Sequence, residues 1–243
     1  MCGIFGSIGP NSAEYVLDGL RKLEYRGYDS AGLAAIFPNH QGPIETEKSV
    51  GYVSNLVSKA NGRFKGAHIS IGHTRWATHG RVSDSNAHPH SNEDGNITVV
   101  HNGIIENASE LVEHISKLGY SLNSETDTEI IAHLLDTELN MQTGIADFLL
   151  AFSNVIEKLE GSWAIAAIIT GLEGILVSRS GTPLLIGKGK ENVYISSDIQ
   201  AFYGTCSEVA FLEVNSYFLL NNSLINEDVD NLRLKFNIIE GEY

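Results

Sequence analysis

Apolar residues recur along this chain in two rhythms, and the alternation between them outlines the fold. Cys2 to Ile8 is a short apolar run with two glycines, the length of a buried strand. From Ser12 to about Glu24, Val16, Leu17, Leu20 and Leu23 fall on one helical face, with Ser12 placed as the N-cap. Turn chemistry at Gly27-Tyr28-Asp29-Ser30 then leads into a strand over Ala31 to Phe37. Ala67 to Thr74 and Ile97 to His101 also read as strands, separated by a polar, histidine-rich segment from Arg75 to Gly95. A segment of that length without apolar rhythm is usually either functional or disordered.

The helical spacing returns after residue 105. Asn107-Ala108-Ser109-Glu110 reads as a capping box ahead of Leu111, Val112, Ile115 and Leu118. Asp127 can open a second helix that turns Ile130, Ile131, Leu134 and Leu135 inward, and a third is predicted over roughly Ile145 to Leu159. From Trp163 the pattern changes to short β-rich runs at 163–169, 174–179, 184–187, 192–196, 208–213 and 216–221, split by Gly and Asn turns. Strands, then helices, then strands predict an α+β layered domain rather than a parallel βαβ repeat. The polar, acidic tail from Asn221 to Tyr243 reads as an exit linker.

Composition narrows the function. With 243 residues, 42% hydrophobic and 19% charged, the chain can build one sizeable globular core. Its longest apolar runs, such as Trp163 to Ile169, fall far short of a bilayer span, and the first residues lack the pattern of a secretory signal. Two cysteines make no disulfide framework, so a reducing, cytoplasmic setting is expected and Cys206 reads as an inert core thiol. The net charge of −14 opposes phosphate backbones and anionic membranes, so neither nucleic acid nor membrane is an expected partner.

Cys2 carries the strongest chemical signal. Loss of Met1 leaves its thiol beside a free α-amino group of pKa near ~8, so one residue can supply both nucleophile and base. The alternative is a buried thiol in the first strand. Asn102-Gly103 is either a hairpin turn or an oxyanion hole built from a side-chain amide and a backbone N–H. Arg75 is either a surface charge or a bidentate grip for a carboxylate, and Trp76 either core or lid. Asp127 can cap its helix and still turn one oxygen toward an ammonium.

Six of the nine histidines, His68, His73, His79, His88, His90 and His101, suggest a metal site as a rival. There is no H-E-x-x-H or Cys-x-x-Cys partner, and the acidic residues of Glu125 to Glu129 have no fixed spacing to the rings. The expectation is a hydrogen-bonded scaffold for the loop and no metal.

These segments occur together in a known order. Cys2 to Gly6 (CGIFG), Arg21 to Gly32 (RKLEYRGYDSAG), His73 to Gly80 (HTRWATHG), Asn86 to His90 (NAHPH), His101 to Asn107 (HNGIIEN), Ser124 to Glu129 (SETDTE), Ser178 to Gly187 (SRSGTPLLIG) and Ile195 to Asp198 (ISSD) run in register. The chain closely resembles, over about residues 1–220, the class II glutamine amidotransferase (glutaminase) domains of the glutamine–fructose-6-phosphate aminotransferase (isomerizing) family. The resemblance implies an N-terminal-nucleophile (Ntn) hydrolase fold, a four-layer αββα sandwich of two antiparallel sheets. It implies a glutaminase domain over 1–225 and a linker over 226–243 toward a sugar-isomerase domain absent from this chain.

It also implies roles. Cys2 attacks the L-glutamine side-chain amide, and Asn102 and Gly103 stabilise the oxyanion. Arg75 grips the substrate α-carboxylate and Asp127 its α-ammonium. Trp76 belongs to a closing lid from about Arg75 to Gly80, and Thr78 and His79 complete the pocket. No cofactor is called for.

Overall fold

A computed structural model describes residues 2–77, 80–141, 147–226 and 237–238. Among the described residues, thirteen strands form two sheets in which every pairing is antiparallel. The first contains β1 (Gly3–Ile8), β2 (Ser30–Ile36), β3 (Glu45–Val50), β4 (Ile69–Arg75), β9 (Leu185–Lys188), β10 (Val193–Ser196) and β11 (Glu208–Phe211), in the order β11-β9-β10-β1-β4-β2-β3. The second contains β5 (His90–Ser91), β6 (Ile97–Ile105), β7 (Gly161–Ile169), β8 (Ile175–Ser180), β12 (Ser216–Leu220) and β13 (Asn237–Ile238), in the order β13-β12-β8-β7-β6-β5. Five α-helices accompany them: α1 (Ser12–Leu23), α2 (Val53–Ala60), α3 (Ala108–Lys117), α4 (Thr128–Met141) and α5 (Phe148–Ile156).

Strand alternation explains the layers. On β1, Ile4 and Ile8 face the second sheet, while Phe5 faces α1. On β7, Ala164, Ala166 and Ile168 face the first sheet, while Trp163, Ile165 and Ile169 pack with residues of α3, α4 and α5. Both faces of each sheet are therefore covered, which is why these strands read as continuous apolar runs rather than as alternating ones. α1 and α2 cover the first sheet through Val16, Leu20, Leu23, Val53 and Leu56. The result is the expected four-layer αββα sandwich. Each fully buried Leu or Ile contributes about 1.5–3 kcal/mol of apolar transfer.

Local expectations met mixed outcomes. Ser12 does not cap α1: its hydroxyl bonds Ser70 at 2.7 Å, and Asn11 takes the N-cap position in a left-handed conformation without a side-chain cap. The predicted capping box of α3 is likewise unformed, because the Asn107 side chain is drawn to Lys158 O (2.8 Å) and Glu160 N (3.0 Å). α5 is capped by Asp147, whose carboxylate accepts from Leu149 N and Leu150 N; Ile145, the expected start, lies outside the described residues. Neither β3 nor α2 was anticipated. β3 is a polar edge strand, and its Glu45 and Glu47 pair with Arg63. Charge of this kind protects an open sheet edge from further pairing.

Asn237 and Ile238, from the tail read as a linker, pair with Tyr217 and Ser216. No helix among the described residues is long and apolar enough to cross a membrane.

Candidate active site

Antiparallel pairing of β1 with β4 aligns Gly3 with Thr74, so Cys2 emerges from the sheet beside Arg75 and Trp76. The half-buried Cys2 Sγ accepts from Trp76 N at 3.4 Å and lies 3.7 Å from Trp76 O. Burial pushes this thiol up, partly offset by the Trp76 backbone and the Arg75 and Arg26 guanidiniums. Sulfur in such a place stays protonated until a base takes the proton. The Cys2 carbonyl is held from two sides, by Arg26 Nε at 3.2 Å and Asn102 Nδ2 at 3.2 Å. Arg26 is itself fixed by Asp198 at 2.5 Å, which also accepts from Tyr25 at 2.6 Å.

Asn102 and Gly103 sit within β6, opposite Ala164 and Trp163, and form no hairpin turn. Gly103 has φ +134°, and a Cβ there would lie 2.0 Å from Ser162 O. Only glycine fits, and its backbone is left open to the cavity. The Asn102 amide oxygen lies 2.9 Å from His73 Nε2.

Asp127 precedes α4. Its Oδ2 accepts from Ile105 N at 2.9 Å and its Oδ1 lies 3.7 Å from His101 Nδ1. Burial works to raise this carboxyl, but the His101 ring and the Ile105 N–H outweigh it and hold the group below the usual carboxylate range. Arg75 is buried, and its Nη1 donates to Arg81 O at 3.2 Å. Trp76 is 43% exposed and meets the edge of Tyr28. Cys2, Arg75, Trp76, Gly103 and Asp127 line one cavity of about 400 Å³, with Asn102 immediately behind Cys2. That volume falls in the usual range for small-molecule sites. Thr78 and His79 lie outside the described residues.

The histidines of the loop form a scaffold. His88 and His101 both face the Thr128 hydroxyl, at 2.7 and 3.1 Å, and His90 faces Thr126 at 3.0 Å. Burial pushes His73 and His90 down to about 3 and carries His88 well below its ordinary value. His68 stands apart, against Asn222 at 3.1 Å. Among the described residues no group of three His, Cys, Asp or Glu side chains is placed to hold a metal ion. Cys206 is half-buried in a separate groove, and burial pushes its thiol up to about 12.

Sequence reasoning left several contributors unassigned. Arg26 and Asp198 pin the nucleophile's carbonyl, and their only prior signal was membership of the EYR and SSD segments. Glu125 was another: its carboxylate accepts from Arg81 N and from Asn86, tying the long loop to the wall that carries Asp127. Glu129 anchors the same wall by accepting from Asn123 N and Ser124 N.

A strand that delivers Cys2 to an Asn-Gly pair across the two sheets of an αββα sandwich is the architecture of an Ntn-type amidotransferase. The family profile described as "Glutamine amidotransferase domain" matches residues 73–204, and the chain belongs to that family. The matched segment includes Arg75, Asn102, Gly103 and Asp127 but not Cys2.

The chain is similar to proteins named glutamine–fructose-6-phosphate aminotransferase [isomerizing]. It is 43% identical to the Pyrococcus horikoshii protein, over 91% of this chain and 36% of that one. It is 45% identical to the Clostridium tetani protein, over 90% and 35%. It thus spans about a third of the length of these curated relatives. Among solved structures it matches the glutamine phosphoribosylpyrophosphate amidotransferase of B. subtilis, with TM-score 0.77 and 23% identity, over 91% of this chain and 48% of that one. This last likeness is one of fold.

Proposed function

We propose that this domain hydrolyses L-glutamine to glutamate and ammonia through a covalent thioester on Cys2. The observation that carries the reading is the convergence of Cys2, Arg75, Gly103 and Asp127 on one cavity. With Met1 removed, the freed α-amino group takes the thiol proton and sulfur attacks the side-chain amide carbon. Charge then develops on the amide oxygen, where Asn102 Nδ2 and Gly103 N–H donate to it. The protonated amine returns its proton to the leaving nitrogen and ammonia departs. Water, activated by the same amine, cleaves the γ-glutamyl thioester and restores the thiol. Arg75 pairs with the α-carboxylate, and Asp127, ionised by its surroundings, with the α-ammonium. Trp76 shields the thiol from solvent, and Thr78 and His79 complete the pocket.

The names of the longer relatives support a wider role: the ammonia goes to a sugar-isomerase unit that converts fructose 6-phosphate to glucosamine 6-phosphate. Residues 1–225 then form the glutaminase domain and 226–243 lead toward that unit. Incubation of Met-processed protein with 6-diazo-5-oxo-L-norleucine, followed by peptide mapping, tests the reaction. The expected adduct is on Cys2. Labelling at Cys206, or none, overturns the proposal.

A further inference from the structure

A side-chain amide has two ends of opposite character and equal shape. If Asn102 turned over, it would set an oxygen lone pair against the developing oxyanion instead of an N–H. The buried ring of His73 lies behind that amide, Nε2 at 2.9 Å from Oδ1, and no step of the reaction above uses it. We infer that His73 is the positioning residue of the oxyanion hole: as its neutral Nε2–H tautomer it donates to Asn102 Oδ1 and locks Nδ2 toward the reacting carbon. The inference rests on the glutaminase reading of the site and names a residue that touches neither thiol nor substrate.

Three observations carry it. First, the buried His73 Nδ1 has no partner in hydrogen-bond geometry among the described residues, although the His101 backbone also acts on the ring. A proton on that atom would be a buried donor without an acceptor, and would leave the Nε2 lone pair facing the Asn102 oxygen. Placing the proton on Nε2 removes both faults and leaves only a bare acceptor. Second, a charged ring would again put a proton on Nδ1, and burial opposes it by pushing the ring down to about 3. Third, the ring is braced. His88 stacks on it at 4.1 Å between centroids and 27° between planes, and His88 is itself held by Thr128.

The sheet topology gives the bond its purpose. His73 lies on β4 opposite Ile4 of β1, within the sheet that delivers Cys2, whereas Asn102 belongs to the other sheet. The His73–Asn102 bond therefore ties the nucleophile's sheet to the oxyanion donor's.

The test uses the full, Met-processed chain. His73→Leu keeps the bulk and removes the donor. Its kcat for glutamate release is expected to fall about 10²-fold, close to the loss from removing an oxyanion donor outright, with KM within about twofold. His73→Gln can place an amide N–H near the Nε2 position and is expected to recover kcat to within about fivefold. Equal losses in the two variants, or His73→Leu within threefold of the parent while Asn102→Ala falls 10²-fold, overturn the inference. ¹⁵N NMR of labelled histidine gives a readout independent of turnover and of the variants' folding. The His73 resonances must report protonated Nε2 and bare Nδ1, and the opposite tautomer overturns the inference. If the parent protein itself releases no glutamate, the failure lies with the glutaminase reading, and the NMR result still decides the tautomer.

Discussion

Between the sheets, Ile4, Ile71, Ala166 and Ile195 belong to one cluster of buried, almost wholly aliphatic side chains. Two residues beyond Ile71 on β4, the ring of His73 is as fully buried; His88 stacks on it, and His88 in turn meets His90 and Thr128, which His101 also faces. The two regions share strands, dryness and depth, and differ in what packing asks of them. Aliphatic groups need only shape, so many combinations of Ile, Val and Ala would fill the gap between the sheets. Imidazoles and hydroxyls need matched donors and acceptors, and here the match is incomplete. Among the described residues His73 Nδ1, His88 Nδ1 and His101 Nε2 have no partner in hydrogen-bond geometry, at a cost of about 1–3 kcal/mol for each buried group left unsatisfied. Under the proposed mechanism, what this cluster supports is the placement of Asn102 and Asp127, which His73 and His101 contact.

Substitutions can separate the two regions. The largest effect belongs to Cys2→Ala, which is expected to abolish glutamate release while moving the thermal midpoint by less than about 3 °C. Undiminished release removes the proposed mechanism. Asn102→Ala comes next, with kcat reduced about 10²–10³-fold. In the aliphatic region the currency reverses. Ile168→Ala is expected to lose about 2–5 kcal/mol in urea denaturation yet keep kcat near the parent value at low temperature. If it instead lost activity without losing stability, the two regions would not be separable.

A smaller and graded effect comes from pH. His73, His88 and His90 are held neutral in the fold, whereas an unfolded histidine takes up a proton below about 6.5. The unfolded state therefore binds more protons, and stability falls as pH drops below about 6.5. Glu129, held down to about 2, and Asp127, also held down, act in the same sense but only near and below the carboxylate range, so between pH 6.5 and 5 the histidines dominate. Urea midpoints should decline across that interval, and His90→Gln should flatten the decline. The smallest change expected is at the surface. Lys117→Ala breaks an exposed pair with Glu113 and should shift stability by no more than about 0.5 kcal/mol.

Legibility followed the same division. The aliphatic residues announced their strands and helices, because each is buried wherever its element goes. Polar residues were read less well, because their partners lie elsewhere in the chain. Ser12 had the chemistry of a cap and was taken by Ser70, and Asn107 was taken by Lys158 and Glu160. Asn102-Gly103 had the chemistry of a hairpin and lies mid-strand, where Ser162 leaves room only for glycine. The polar edge strand β3 shows no apolar alternation at all and exists because β2 offers it a ladder.

By itself the sequence determined most of the elements, though not β3 or α2, along with the α+β layering, the sulfur at position 2 and the ordered segments that mark the family. Folding alone decided that a carbonyl next to that sulfur meets an amide 100 residues away, and that Arg26 meets Asp198 across 172 residues. Hydrophobic periodicity is a local property, printed every two or four residues. A hydrogen bond requires two particular atoms to come within about 3 Å, and which atoms do so is settled only when the sheets have packed.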